Sequence, residues 1–181
     1  MKIIETEIPD VKILEPAVFS DDRGYFLESW NARSFANSGL NWNFVQDNHS
    51  RSKKNVLRGL HYQLQHAQGK LIRVTAGAVF DVAVDIRRGS PTFGRWVSVE
   101  LSEDNHRMLW IPAGFAHGFL ALRDGTDLAY KCTDFYATQY ERTIVWNDPD
   151  LAIAWPITMD VPRVSPKDAI GSPLKHAETF A

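Results

Sequence analysis

Apolar and polar residues alternate with a period of two along much of this chain, the repeat of a pleated strand. In Val79 to Ile86, Phe80, Val82, Val84 and Ile86 fall on one face, and Asp81, Ala83 and Asp85 on the other. Lys70 to Ala76 reads as a second strand. In Trp96 to Leu101, Val97, Val99 and Leu101 stand against Trp96, Ser98 and Glu100, and the polar Ser102-Glu103-Asp104-Asn105 leads into Met108 to Ile111. These two runs are expected to form a hairpin. Another is expected where Leu120-Ala121-Leu122 and Leu128 to Thr133 flank Arg123-Asp124-Gly125-Thr126, because Asp-Gly supplies the positive φ angles of a tight turn. Helical signal is confined to Asn31 to Ser38 and to Ser165-Pro166-Lys167-Asp168, where Ser can cap, Pro fits the first helical position and Asp suits the positive end of the dipole. Many short strands punctuated by Gly and Pro predict an all-β sandwich or barrel with a few short helices.

The chain has 181 residues, which fits a single domain over 1–181, since one core serves about 100 to 200 residues. Apolar residues at 44% and charged residues at 23% give it enough to build that core and argue against disorder. A formal charge of −2 offers no positive field to gather nucleic acid. The one cysteine, Cys132, cannot form an intrachain disulfide and reads as a small core residue. Neither Met1 to Glu7 nor any later stretch has the apolar run of a signal peptide or membrane span, so the expected location is cytoplasmic.

Polar groups suited to chemistry concentrate in Val56 to Gln63 and Trp110 to Phe119, each of which sets a histidine in an apolar, strand-like run. Burying an unpaired imidazole costs roughly 1 to 3 kcal/mol, so His61 and His117 each need a partner, a ligand or a cavity. On residue chemistry alone, His61 is equally readable as a base, a metal ligand or a satisfied core histidine. Pro112-x-Gly114-x-x-His117 matches the second motif of the cupin barrels, whose metal-binding members supply His-x-His from a first motif. Here Tyr62 and Gln63 follow His61, so a three-histidine site cannot be built from this segment and a metal is disfavoured.

Longer stretches extend this likeness. They include Asp22-Arg23-Gly24-Tyr25-Phe26-x-Glu28, Gln46-Asp47-Asn48-His49-Ser50, Leu57-Arg58-Gly59-Leu60-His61-Tyr62-Gln63, Gln68-Gly69-Lys70-Leu71 and Val79 to Arg87. Further along come Ser90-Pro91-Thr92-Phe93-Gly94, Trp110 to Phe119, Tyr130-Lys131, Trp146-Asn147-Asp148 and Ser165-x-Lys167-Asp168. In this order they resemble the dTDP-4-dehydrorhamnose 3,5-epimerase family from end to end. The resemblance implies a single-domain, cupin-like jelly-roll β-barrel. It also implies an isomerase that needs no redox cofactor and no metal, removing and returning the C3 and C5 protons of a dTDP-4-keto-6-deoxy sugar on the way to L-rhamnose. The C4 carbonyl makes those protons acidic by spreading the carbanion onto oxygen, so the protein must supply a base, an oxyanion stabiliser and an acid.

By the same resemblance His61 is the base, Asp168 orients it, Lys70 stabilises the enolate oxygen, Tyr130 is the proton donor and His117 helps line the pocket. An imidazole of pKa ~6.5 and a phenol of pKa ~10 suit those two proton-transfer tasks. Arg23, Arg58 and Lys167 are implied for the diphosphate, with Glu28, Gln46, Asn48 and Glu141 at further binding positions. Gln46 and Asn48 share strand parity and are expected to face one cavity. A homodimer is implied, with strands near the amino terminus reaching to the neighbouring subunit. Arg58 and His61 have opposite parity, so both can enter the barrel only if Gly59 bulges the strand. Other readings are a relative acting at one sugar centre, a metal-dependent cupin oxygenase and a sugar-binding barrel without catalysis.

Overall fold

In the computed structural model, which describes residues 1–181, thirteen strands and two short helices follow one another. They are β1 (Lys2–Glu5), β2 (Lys12–Glu15), β3 (Val18–Asp21), β4 (Gly24–Leu27), α1 (Ala32–Asn37), β5 (Gln46–Ser52), β6 (Leu57–Gln63) and β7 (Lys70–Ala76). After these come β8 (Ala78–Asp85), β9 (Trp96–Ser102), β10 (Met108–Ile111), β11 (Phe115–Ala121), β12 (Thr126–Cys132), β13 (Glu141–Thr143) and α2 (Pro166–Ala169). The strands form a six-stranded sheet in the order β1-β2-β10-β7-β12-β5, a five-stranded sheet in the order β13-β6-β11-β8-β9, and a separate β3–β4 ribbon. Both helices are capped by side chains: Asn31 accepts from the amides of Arg33 and Ser34, and Ser165, as expected, from that of Asp168.

The inner faces of the two sheets share one apolar cluster, with Ile72, Val74, Leu109, Ile111 and Leu128 meeting Val79, Ala83, Val97, Val99, Leu101, Phe115 and Phe119. This is the expected all-β, cupin-like jelly-roll. Its outer faces are covered too. Val82, Val84 and Ile86 of β8 and the turn after it pack under Leu151, Leu174 and Ala177 of the carboxyl-terminal segment, which explains why that strand is apolar on both sides. On the other sheet Leu14, Leu71, Met108 and Trp110 are covered by Phe35 and Leu40, and Trp42 stacks on Trp110 at 3.9 Å. Cys132 is buried as a core residue. No helix is long and apolar enough to cross a membrane.

Both expected hairpins are corrected. β9 pairs with β8, whereas β10 lies in the other sheet between β2 and β7. Likewise β11 lies between β6 and β8, and β12 between β5 and β7. The Asp-Gly turn does form, with Gly125 at φ +67°, but it carries the chain from one sheet to the other. Period-two patterning specifies a strand and its faces; it says nothing of which neighbour takes each edge.

The bulge at Gly59 is present. On β11 the step from His117 to Phe119 spans two residues, and its partner step on β6, from His61 back to Arg58, spans three. Gly59 sits at φ +128°, a conformation open to glycine, and Arg58 and His61 line the same cavity.

The Val79–Arg87 and Ser90–Gly94 stretches prove to be largely structural at their ends. Fully buried Asp85 accepts hydrogen bonds from the backbone and side chain of Arg87 and from the hydroxyls of Ser90 and Thr92, tying the end of β8 to the turn before β9. Burial pushes its carboxyl up, but the bonds from Arg87, Ser90 and Thr92 outweigh it and bring the pKa down to about 2. Because this value lies below that of the unfolded chain, the stabilisation is complete above about pH 4 and is lost as the pH falls through about 2. Asp85→Asn is expected to cost about 2 kcal/mol in urea unfolding at neutral pH, and the gap from the parent protein to narrow steadily below about pH 4.

Candidate active site

Inward-facing polar residues of five strands surround a cavity of about 330 Å³. β5 contributes Gln46, Asn48 and Ser50, β6 Arg58, His61 and Gln63, β7 Lys70, β11 His117 and β12 Tyr130, while Tyr136, Glu141 and Lys167 add a more exposed side. Gln46 and Asn48 do share a face, and the Gln46 amide donates to Asn48 Oδ1 at 3.0 Å.

His61 is the residue that the Gly59 bulge turns inward. Its Nε2 meets Asp168 Oδ1 at 2.5 Å, and the side chains are 27% and 3% exposed, so the carboxylate is enclosed and the imidazole is open to the cavity. Burial raises the Asp168 carboxyl, yet the bond and charge of His61, with Ser165 and Lys167, hold it below the usual carboxylate range. The capped helix and the dyad are therefore one arrangement: Ser165 fixes the first turn of α2, and that turn aims Asp168 at His61.

Directly across from His61 in the β6–β11 register lies His117, whose Nε2 is within 2.9 and 3.0 Å of the two Asp81 oxygens. Asp81 is fully buried; burial raises its carboxyl, opposed by the charges of His117 and Lys70. Lys70 opens β7 beside Cys132 of β12. Burial lowers the pKa of its ammonium, with Cys132, Glu141 and Asp81 acting the other way, and it makes no ion pair. On Tyr130 burial raises the phenol, which keeps it protonated and able to donate. A base with an orienting acid, a desolvated cation and a protonated phenol in one cavity are the parts of a proton abstraction next to a carbonyl.

Among the binding candidates, Arg58 donates to Ser52 Oγ and to the Arg51 carbonyl, leaving its guanidinium without a carboxylate partner. Lys167 donates to Glu141 Oε1 at 2.8 Å, and the Tyr136 hydroxyl to Oε2 at 2.9 Å. Burial raises the Glu141 carboxyl, but Lys167, Tyr136 and His61 bring it below its ordinary value.

Arg23 and Glu28 stand apart from the cavity of their own chain. Arg23 is paired with Asp21 at the tip of the β3–β4 ribbon, and Glu28 accepts from Asn31 just after it. That ribbon joins neither sheet. Sequence reasoning missed Asp81, Gln68 and Tyr136, and took Gln63 only as an absent metal ligand. Asp81 and Gln68 lie inside matched stretches, where the first signal was available; nothing around Tyr136 marks it. No three His, Cys, Asp or Glu side chains converge in an arrangement that could hold a metal, and His61 and His117 each meet a single aspartate.

The family model for dTDP-4-dehydrorhamnose 3,5-epimerase matches residues 5–176. A protein of that name from Pseudomonas aeruginosa is 58% identical over 181 residues, covering 99% of both chains. Among solved structures, a dTDP-6-deoxy-D-glucose-3,5-epimerase from Legionella pneumophila, in complex with dTDP-4-keto-L-rhamnose, superposes with a TM-score of 0.94 at 54% identity, covering 98% of this chain and 94% of the other. A dTDP-4-dehydrorhamnose 3,5-epimerase from Bacillus anthracis, with TDP and PPi bound, gives 0.90 at 48% identity over 94% and 97%. Similarity of this extent, on the fold and along the whole sequence, places the chain in the dTDP-4-dehydrorhamnose 3,5-epimerase family.

Proposed function

We propose that this protein is a dTDP-4-dehydrorhamnose 3,5-epimerase, converting dTDP-4-dehydro-6-deoxy-D-glucose into dTDP-4-dehydro-L-rhamnose in the cytoplasm for L-rhamnose synthesis. The observation that carries the reading is the His61–Asp168 pair facing the cavity shared with Lys70 and Tyr130.

The chemistry follows from the geometry. With Nε2 of His61 engaged by Asp168, Nδ1 is left to take a proton from the carbon beside the sugar carbonyl. Asp168 fixes the ring and stabilises the imidazolium that forms. The electron pair left on carbon moves onto the C4 oxygen, where the Lys70 ammonium stabilises it without first shedding a full water shell. Tyr130 then gives its proton to the carbon from the other side, inverting the centre, and bulk water resets both groups. Arg58 and Lys167 supply the cations for the diphosphate, and Gln46, Asn48 and Glu141 the polar contacts beyond it. His117, held by Asp81, shapes the pocket wall beside His61. The same groups would serve an enzyme acting at C3 or C5 alone.

The working unit in this reading is a homodimer. Phe19 and Phe26, paired across the β3–β4 ribbon, are 65% and 68% exposed, an apolar patch on an element too small to stand by itself in water. A second copy covering that ribbon would bring Arg23 and Glu28 within reach of the partner's cavity.

In heavy water the protein is expected to place deuterium at both C3 and C5 of the substrate; one labelled carbon would make it a single-centre epimerase, and none would sink the proposal. His61→Ala should lower exchange at both carbons by about 10³-fold. Tyr130→Phe should behave differently, still washing hydrogen out at the face of His61 while the inverted product falls about 10²-fold. Sedimentation should give the mass of two chains, and Phe19→Asp with Phe26→Asp should give single chains of low activity.

A further inference from the structure

The connection from β12 to β13 carries the chain from the six-stranded to the five-stranded sheet beside the cavity, and its backbone is held by glutamine side chains at four consecutive residues. Gln68 Nε2 donates to the Asp134 carbonyl at 2.8 Å, and Gln63 Nε2 to the Phe135 carbonyl at 3.2 Å. The Tyr136 amide donates to Gln46 Oε1 at 2.9 Å, and the Ala137 amide to Gln63 Oε1 at 2.8 Å. The three glutamines come from β5, the end of β6 and the turn before β7.

Gln63 is 5% exposed and its amide is fully committed, since Nε2 also donates to the His66 carbonyl at 2.8 Å. What the frame holds is not buried: Tyr136 is 50% exposed, lines the cavity and bonds Glu141 through its hydroxyl. Left free, such a loop would have to be ordered each time ligand bound, at about 1 to 2 kcal/mol per residue. None of the three amides bonds His61, Asp168, Tyr130 or Lys70.

We infer that Gln63 and Gln68 are positioning residues that, together with Oε1 of the substrate-contacting Gln46, fix the Asp134–Ala137 backbone, so that Tyr136 is a preset wall of the cavity and the frame governs substrate affinity and not proton transfer. This rests on the nucleotide-sugar reading above. Gln63→Glu keeps the size and the acceptor for Ala137 but sets a carboxylate oxygen against two carbonyls. At about pH 8 it should raise KM about tenfold (~1.4 kcal/mol) with kcat changed less than about twofold. KM should move back toward that of the parent protein near pH 5, where a protonated carboxyl regains a donor. Amide hydrogen exchange at Tyr136 and Ala137 should quicken. Gln68→Met, which removes one bond only, should shift KM the same way by less and serves if Gln63→Glu does not fold. A fall in kcat at unchanged KM, or unchanged exchange at Tyr136 in both variants, would overturn the inference. A parent protein inactive on the dTDP-sugar would strike the functional reading alone, because dTDP affinity and exchange at Tyr136 still decide the role of the frame.

Discussion

Between β6 and β11 the two backbones approach so closely that a methyl group on Gly59 would lie 2.5 Å from Gly118 Cα, and one on Gly118 would lie 2.8 Å from the Arg58 carbonyl. This contact is what allows β6 to carry one residue more than its partner, and the extra residue reverses the parity of the strand. On a regular strand Arg58 and His61 would point to opposite sides of the sheet. With the bulge, a guanidinium and an imidazole open into the same cavity, from positions three apart on one strand. A side chain at either glycine would push the strands apart and disturb both His61 and, across the register, His117.

Around that constraint the barrel resolves the difficulty of placing polar groups inside an apolar shell. His61 and His117 are each matched to one aspartate, Glu141 to Lys167 and Tyr136, and the glutamines to backbone. Paired groups of this kind repay their desolvation locally and hold a fixed orientation. The Lys70 ammonium is not matched in this way, since burial weakens its charged form and no carboxylate bonds it. An ammonium in that condition gains most from a negative charge that appears in front of it, which is the situation of an enolate forming at a bound ketone.

Much of this was legible along the chain. The strand runs and their faces follow from alternation, the start of α2 from its capping residue, and the bulge from the conflict between the parity of Arg58 and His61 and the glycine between them. Strand partners were not legible, because an apolar face is satisfied by any sheet packed on it; the two expected hairpins failed for that reason. Arg23 and Glu28 could be matched but not placed, as the ribbon that carries them has no sheet in its own chain to join. Least visible was the use of Gln63. Its amide serves the backbone of a loop more than seventy residues away, and backbone carbonyls and amides have no signature in a sequence.

The alternation of successive strands between sheets also bears on how the molecule comes into being. β2 waits for β10, β6 for β11 and β13, and β5 for β12, so most ladders join segments far apart along the chain and closure is a slow, late event. On a ribosome His61 emerges more than a hundred residues before Asp168. A chain halted between the two thus carries its imidazole with no carboxylate beside it, and the dyad waits until α2 has been made.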